Sequence, residues 1–214
     1  MEGTFPLLIM VFDQSMPGQS TADLKAQMRR SIRPRRRQIS STERASLNQE
    51  INRHVLNCVF ELKISSLSAF LPFDGEPDLR PALGELESGG VRIALPVTDS
   101  RKPATMAMHQ WKPGAETTEN EFGIDQPVDG KQMDIAGLDL LFIPLVAWDR
   151  KGGRLGMGKG YYDRILEPLG ATDHPARIGV AFGIQEVTCV PVDWWDIPLH
   201  GLICEHGWIN LQGQ

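Results

Sequence analysis

The chain has 214 residues, 41% hydrophobic and 23% charged, which is enough to bury a core without disulfides or structural metals. Its three cysteines, Cys58, Cys189 and Cys204, are far apart with no CxxC pair, which argues against a disulfide framework or a zinc cluster and suits a reducing compartment. The net charge is −5, yet Thr21 to Arg44 carries eight Lys or Arg against two acids, a surplus of six that leaves the remainder near −11.

In chain order, the apolar run Phe5 to Phe12 is shorter than the roughly 20 residues a bilayer span needs. No Lys or Arg precedes it, as a signal peptide would require. Residues 1–20 are therefore expected to be a peripheral leader, and 21–214 a single domain. Ser20-Thr21-Ala22-Asp23 opens a helix that Pro34 is expected to end, with Lys25, Arg29 and Arg33 at i, i+4 and i+8 on one face. Three cations on one face fit a solvated surface, a phosphate or carboxylate site, or a nucleic-acid contact. Ser40-Ser41-Thr42-Glu43 has capping-box spacing. Leu47, Ile51, Val55, Cys58 and Leu62 then follow at helical intervals, so Cys58 and His54 are expected to serve packing.

Short apolar runs then alternate with helical stretches: Leu67 to Leu71, Val91 to Leu95, Leu138 to Val146 and Arg177 to Phe182 read as strands. That alternation predicts an open, mostly parallel sheet covered by helices, an α/β fold. Pro96 to Gly137 is weakly periodic and rich in Pro and Gly, and reads as a long loop covering a site.

From Asp139 to Leu166 a buried strand is expected to enter a glycine-rich turn and then a helix. Backbone N–H groups and close approach at Gly156, Gly158 and Gly160, with charge from Arg154 and Lys159, suit an anion. It is not a Walker loop, because Gly160 stands where Ser or Thr would bind magnesium. Asp163 falls in the first helical turn, where it either holds a cation or favours the helix dipole. The histidines, His174, His200 and His206 among them, lack metal-ligand spacing.

Arg154-Leu155-Gly156-Met157-Gly158-Lys159-Gly160-Tyr161-Tyr162-Asp163 resembles the signature of the 5-formyltetrahydrofolate cyclo-ligase family. The likeness runs from about Leu24 to Glu205, through Phe70-Leu71-Pro72-Phe73-Asp74-Gly75-Glu76, Leu95-Pro96 and Phe122-Gly123-Ile124. It implies a three-layer α/β/α sandwich similar to sugar-phosphate isomerase and CoA-transferase folds. It further implies a cytoplasmic, monomeric enzyme that acts on ATP and 5-formyltetrahydrofolate with Mg2+, without nucleic acid or membrane partners.

By the same resemblance, Lys25 and Arg29 reach the ATP phosphates, with Arg154, Leu155, Gly156, Met157, Gly158, Lys159, Gly160, Tyr161 and Tyr162 cradling the nucleotide. Lys25, Arg154 and Lys159 offset phosphate charge, and no side-chain nucleophile is expected. Leu71, Glu76, Phe122 and Met157 to Tyr161 contact the folate, while Asp163 and Asp196 hold Mg2+. Two departures stand out: His200 replaces an acidic residue, and Pro77 follows Glu76. An ATP-independent isomerase or acyl-CoA transferase, and a non-catalytic RNA-binding module using Arg29, Arg30, Arg33 and Arg35 to Arg37, are the alternatives.

Overall fold

The computed structural model describes residues 19–101, 105–170 and 172–211, so all but the end of the expected leader lies outside them. Its elements in chain order are α1 (Thr21–Gln38), α2 (Ser41–Glu61), β1 (Ser66–Ser68), α3 (Arg80–Ser88), β2 (Arg92–Thr98) and β3 (Met106–Trp111). Next come β4 (Thr117–Glu119), β5 (Asp125–Pro127), β6 (Gln132–Met133), β7 (Leu140–Pro144), β8 (Ala147–Trp148) and β9 (Arg154–Leu155). The last are α4 (Tyr161–Leu166), β10 (Ala176–Val180), β11 (Gly201–Cys204) and β12 (Gly207–Asn210).

Eight strands form one sheet in the order β12-β11-β10-β7-β1-β2-β3-β6. The central pairs β11·β10, β10·β7, β7·β1 and β1·β2 are parallel, and antiparallel strands flank both ends. Strand residues alternate between faces, as the pleat requires. Leu140 and Phe142 pack with Ile51 and Val55 of α2 and Leu83 of α3, whereas Leu141 and Ile143 pack with Leu166 of α4. Helices therefore cover both faces, giving the expected three-layer arrangement. The four strands expected from sequence all form, as β1, β2, β7 and β10.

Three expectations change. The stretch 96–137 is not a bare loop: it contributes β3 to the sheet and folds the β4–β5 hairpin. Between β7 and α4 the chain makes a second hairpin, β8–β9, rather than turning directly from strand to helix.

The third concerns α1, which does not stop at Pro34 but runs on to Gln38. Side chains around the proline hold it. Fully buried Arg36 donates from Nη1 to Leu145 O at 3.1 Å, from Nε to Asp74 O at 3.1 Å and from Nη2 to Asp74 Oδ2 at 2.9 Å. Arg33 and Arg37 meet the same carboxylate. Asp74, at φ 52°, is thus the hub of an arginine cluster, and of the arginines that sequence left open to nucleic acid three are paired with it, Arg36 fully buried, Arg33 half-buried and Arg37 exposed.

Candidate active site

The β8–β9 hairpin is shaped by Asp149, whose Oδ1 accepts the Lys151 and Gly153 N–H groups at 2.8 and 2.9 Å and whose Oδ2 accepts Val190 N–H at 2.7 Å. It delivers Arg154 and Leu155 to the edge of a cavity of about 630 Å3, within the size range of small-molecule sites. Beyond it, Gly160 starts α4 in the left-handed region at φ 64°, which a side chain would strain. At Gly156 a Cβ would meet nothing within 4 Å, so backbone faces open space.

Every residue nominated from sequence lines this one cavity: Lys25, Arg29, Leu71, Glu76, Phe122, the run Arg154 to Asp163, and Asp196. Five elements converge to bring them there. Arg29 crosses from α1 to the glycine loop, its Nε donating to Gly156 O at 2.8 Å. Lys25 Nζ lies 2.7 Å from Asp193 Oδ2 and 2.5 Å from Asp196 Oδ2. Burial pulls this ammonium's pKa down, but those two carboxylates outweigh it and the net shift is upward.

Arg154 is buried, donating from Nε to Ile197 O at 2.9 Å and from Nη2 to Asp163 Oδ1. Ile197 N–H also reaches Asp163 Oδ1, at 3.4 Å, which ties the two acidic segments together. The remaining oxygens, Asp163 Oδ2 and Asp196 Oδ1, take no hydrogen bond among the described residues. Two such oxygens on one cavity suit Mg2+, which takes one or two carboxylates and fills its shell with phosphate oxygens and water.

Phe122 sits at the tip of the β4–β5 hairpin, where Asn120 Oδ1 accepts the Phe122 and Ile124 N–H groups at 2.9 and 3.1 Å. The Phe122 ring packs edge-on to Tyr161 at 6.0 Å, and Lys159 Nζ lies 5.3 Å from its centroid. These aromatics give the cavity a flat apolar wall.

Glu76 is buried beside them and accepts Phe73 N–H at 3.2 Å, so Pro77 does not turn its carboxylate out of the cavity. Burial raises the Glu76 carboxyl to about 7 despite the nearby Arg36. Burial likewise pushes the Tyr162 phenol up, with Glu76 adding to the shift, and its hydroxyl has no hydrogen-bond partner among the described residues. A buried donor beside a buried acceptor is poised for a polar ligand edge.

His200 lies away from the cavity: its Nδ1 accepts Arg177 N–H at 3.2 Å, and Arg177 Nε holds Pro198 O at 3.0 Å. That substitution is therefore structural. Sequence reasoning missed Asp193 and Trp195, which also line the cavity. Their only signal was proximity to Asp196. Among the described residues no group of three or more His, Cys, Asp or Glu is placed to hold a metal, and no helix is long and apolar enough to cross a membrane.

The model of the 5-formyltetrahydrofolate cyclo-ligase family matches residues 21–205. The chain is 30% identical to the 5-formyltetrahydrofolate cyclo-ligase of Haemophilus influenzae, over 84% of this chain and 96% of the relative. It is 32% identical to that of Escherichia coli K12, over 80% and 95%. The solution structure of Aquifex aeolicus 5,10-methenyltetrahydrofolate synthetase superposes with a TM-score of 0.77 at 29% identity, covering 89% of this chain and 94% of that one. The Mycoplasma pneumoniae 5,10-methenyltetrahydrofolate synthetase gives 0.68 at 25% identity, covering 85% and 98%.

Proposed function

The chain belongs to the 5-formyltetrahydrofolate cyclo-ligase family, and from that premise we propose that it closes 5-formyltetrahydrofolate to 5,10-methenyltetrahydrofolate at the expense of ATP. The observation that carries the reading is the convergence of Lys25, Arg29, Arg154 and Lys159 with Glu76 and the Phe122–Tyr161 pair on one cavity.

The formyl oxygen on N5 attacks the γ-phosphorus, and the bond to ADP breaks. N10 then attacks the activated formyl carbon, inorganic phosphate leaves with the oxygen, and the N10 proton is lost. Such chemistry asks the protein for alignment and charge neutralisation rather than a nucleophile. Lys25, Arg29, Arg154 and Lys159 supply positive charge around the phosphates, and the glycine loop supplies backbone N–H groups. Phe122 and Tyr161 hold the pterin face, while Leu71 and Glu76 flank its edge. Asp163 and Asp196 are the residues that would hold Mg2+, which would supply positive charge to offset that of the phosphates.

An isomerase has no need of the run Lys159 to Asp163 together with Lys25 and Arg29 on one cavity, and Arg36, buried on Asp74, is withdrawn from any RNA. Cys58, Cys189 and Cys204 are free thiols, which supports a reducing cytoplasm. We further take the enzyme to act as a monomer.

Purified protein given 5-formyltetrahydrofolate is expected to produce the methenyl absorbance only when Mg2+ and ATP are both present. A folded protein that gives no rise, or one equal without ATP, defeats the proposal.

Glu76 sets a second expectation. Ionised, its two oxygens can accept a pair of pterin N–H groups, whereas protonation turns one of them into a donor, so the KM for the folate should climb as pH falls below about 7. The variant Glu76→Gln should show a high KM that hardly changes with pH. Parallel pH profiles for the two proteins rule this role out.

A further inference from the structure

Asp193, Trp194, Trp195 and Asp196 form a turn closed by Asp196 N–H donating to Asp193 O at 3.1 Å. The side chains at its two ends finish on a single ammonium, Lys25 Nζ. Asp196 Oδ2 also accepts Asp193 N–H at 2.8 Å, so the turn is braced internally as well. A tight turn is thereby moored to α1, the helix that carries the proposed phosphate-binding cations.

The tip of this turn is two tryptophans, Trp194 89% exposed and Trp195 51% exposed, with indoles edge to face at 5.2 Å. Tryptophan is among the most costly side chains to leave in water, and here the turn that carries the pair is braced at both ends. Trp195 borders the cavity and Trp194 supports it from outside. Phe122 and Tyr161 form a separate aromatic group on the β4–β5 hairpin and the glycine loop. Trp195 is thus the aromatic face that adjoins the Lys25 anchor.

An ammonium has three N–H donors. The two aspartates use two of them, so the third can take a phosphate oxygen while the turn stays in place. A ligand anchored there by phosphate, and carrying a flat heterocycle, has an exposed indole beside it on which to stack. Each base has a π face, and stacking on an aromatic side chain is a general means of holding one.

We infer that Trp195 is the stacking platform for the nucleobase of the nucleotide, with Trp194 as its buttress, so the site distinguishes ATP from bare polyphosphate. This rests on the ATP-dependent reading of the cavity.

The test is a titration of the full chain with Mg-ATP and with Mg-tripolyphosphate, followed by intrinsic tryptophan fluorescence and by calorimetry. In the unmodified protein ATP, but not tripolyphosphate, should quench the emission. The variant Trp195→Leu should lose that quenching and bind ATP about ten- to a hundredfold more weakly, with tripolyphosphate affinity within twofold. Trp195→Phe, which keeps a flat face, should recover most of the loss. If Trp195→Leu binds ATP as well as the parent does, the platform is refuted while the proposed function stands. If it loses ATP and tripolyphosphate by the same factor, its role is to hold the turn and the platform is again refuted. An unmodified protein that binds neither ligand removes the ATP-dependent reading together with the platform.

Discussion

Replacing Arg154 by alanine is expected to cut kcat/KM for ATP by about 10²–10³, the usual cost of losing one preorganised donor at a developing charge. The expectation follows from how the side chain is held. Arg154 is 8% exposed, and Ile197 O and Asp163 Oδ1 fix its Nε and Nη2, while no hydrogen bond among the described residues involves Nη1. A guanidinium braced on two sides, on a residue that lines the cavity, needs little reorganisation when phosphate charge shifts in the transition state. A lysine lacks the planar fork that satisfies Ile197 and Asp163 together, so Arg154→Lys should recover little. Steady-state kinetics with ATP as the varied substrate read the effect. A kcat/KM within threefold of the parent for Arg154→Ala excludes this role.

The second large effect concerns stability. Asp74→Ala is expected to cost about 3–5 kcal/mol, because it strands the fully buried Arg36 without its carboxylate. It also places alanine at φ 52°, a conformation that aspartate tolerates better. For a chain of this length about 1 kcal/mol moves Tm by roughly 2–4 °C, so the fall in Tm should be on the order of 10 °C. Burial raises the Asp74 pKa, but hydrogen bonds from Arg33 and Arg37 and the charge of Arg36 more than reverse it, so the net shift is downward. A carboxyl lowered in the folded state stabilises fully above its ordinary value of 3.8, and that contribution disappears as pH falls through the lower native pKa. The difference in Tm between the parent and Asp74→Ala should therefore narrow in strong acid. A variant melting within 2 °C of the parent at pH 7 overturns the hub.

The glycine loop was legible in the sequence because its chemistry is local. Glycines, cations and an acid within ten residues nominate a candidate site whatever surrounds them, and the run does line the cavity; the four core strands announced themselves through apolar runs. The stretch 96–137 was not legible. Its β3 residues, Met106 to Trp111, alternate poorly because each face buries one apolar side chain, Met108 on one and Trp111 on the other, among half-buried neighbours, so no period dominates. Pro34 misled for a different reason: a proline penalty is local, whereas the bonds from Arg36 to Leu145 and Asp74 that offset it span 109 and 38 residues. Asp193 and Trp195 went unseen because their role depends on Lys25, 168 residues away from Asp193 in the chain.

Because α1 continues through Pro34, one rigid rod touches both halves of the cavity. Lys25 and Arg29 lie toward its start, and Arg33 and Arg36 clamp the turn that presents Glu76 toward its end. At about 1.5 Å per residue, Lys25 and Arg36 are set roughly 16 Å apart along the axis. The helix thereby acts as a gauge, fixing the span between the anchor proposed for the nucleotide and that proposed for the folate. Inserting one residue between Arg29 and Arg33 would lengthen the gauge by about 1.5 Å and rotate its far end by roughly 100°, putting the two substrates out of register even if each still binds.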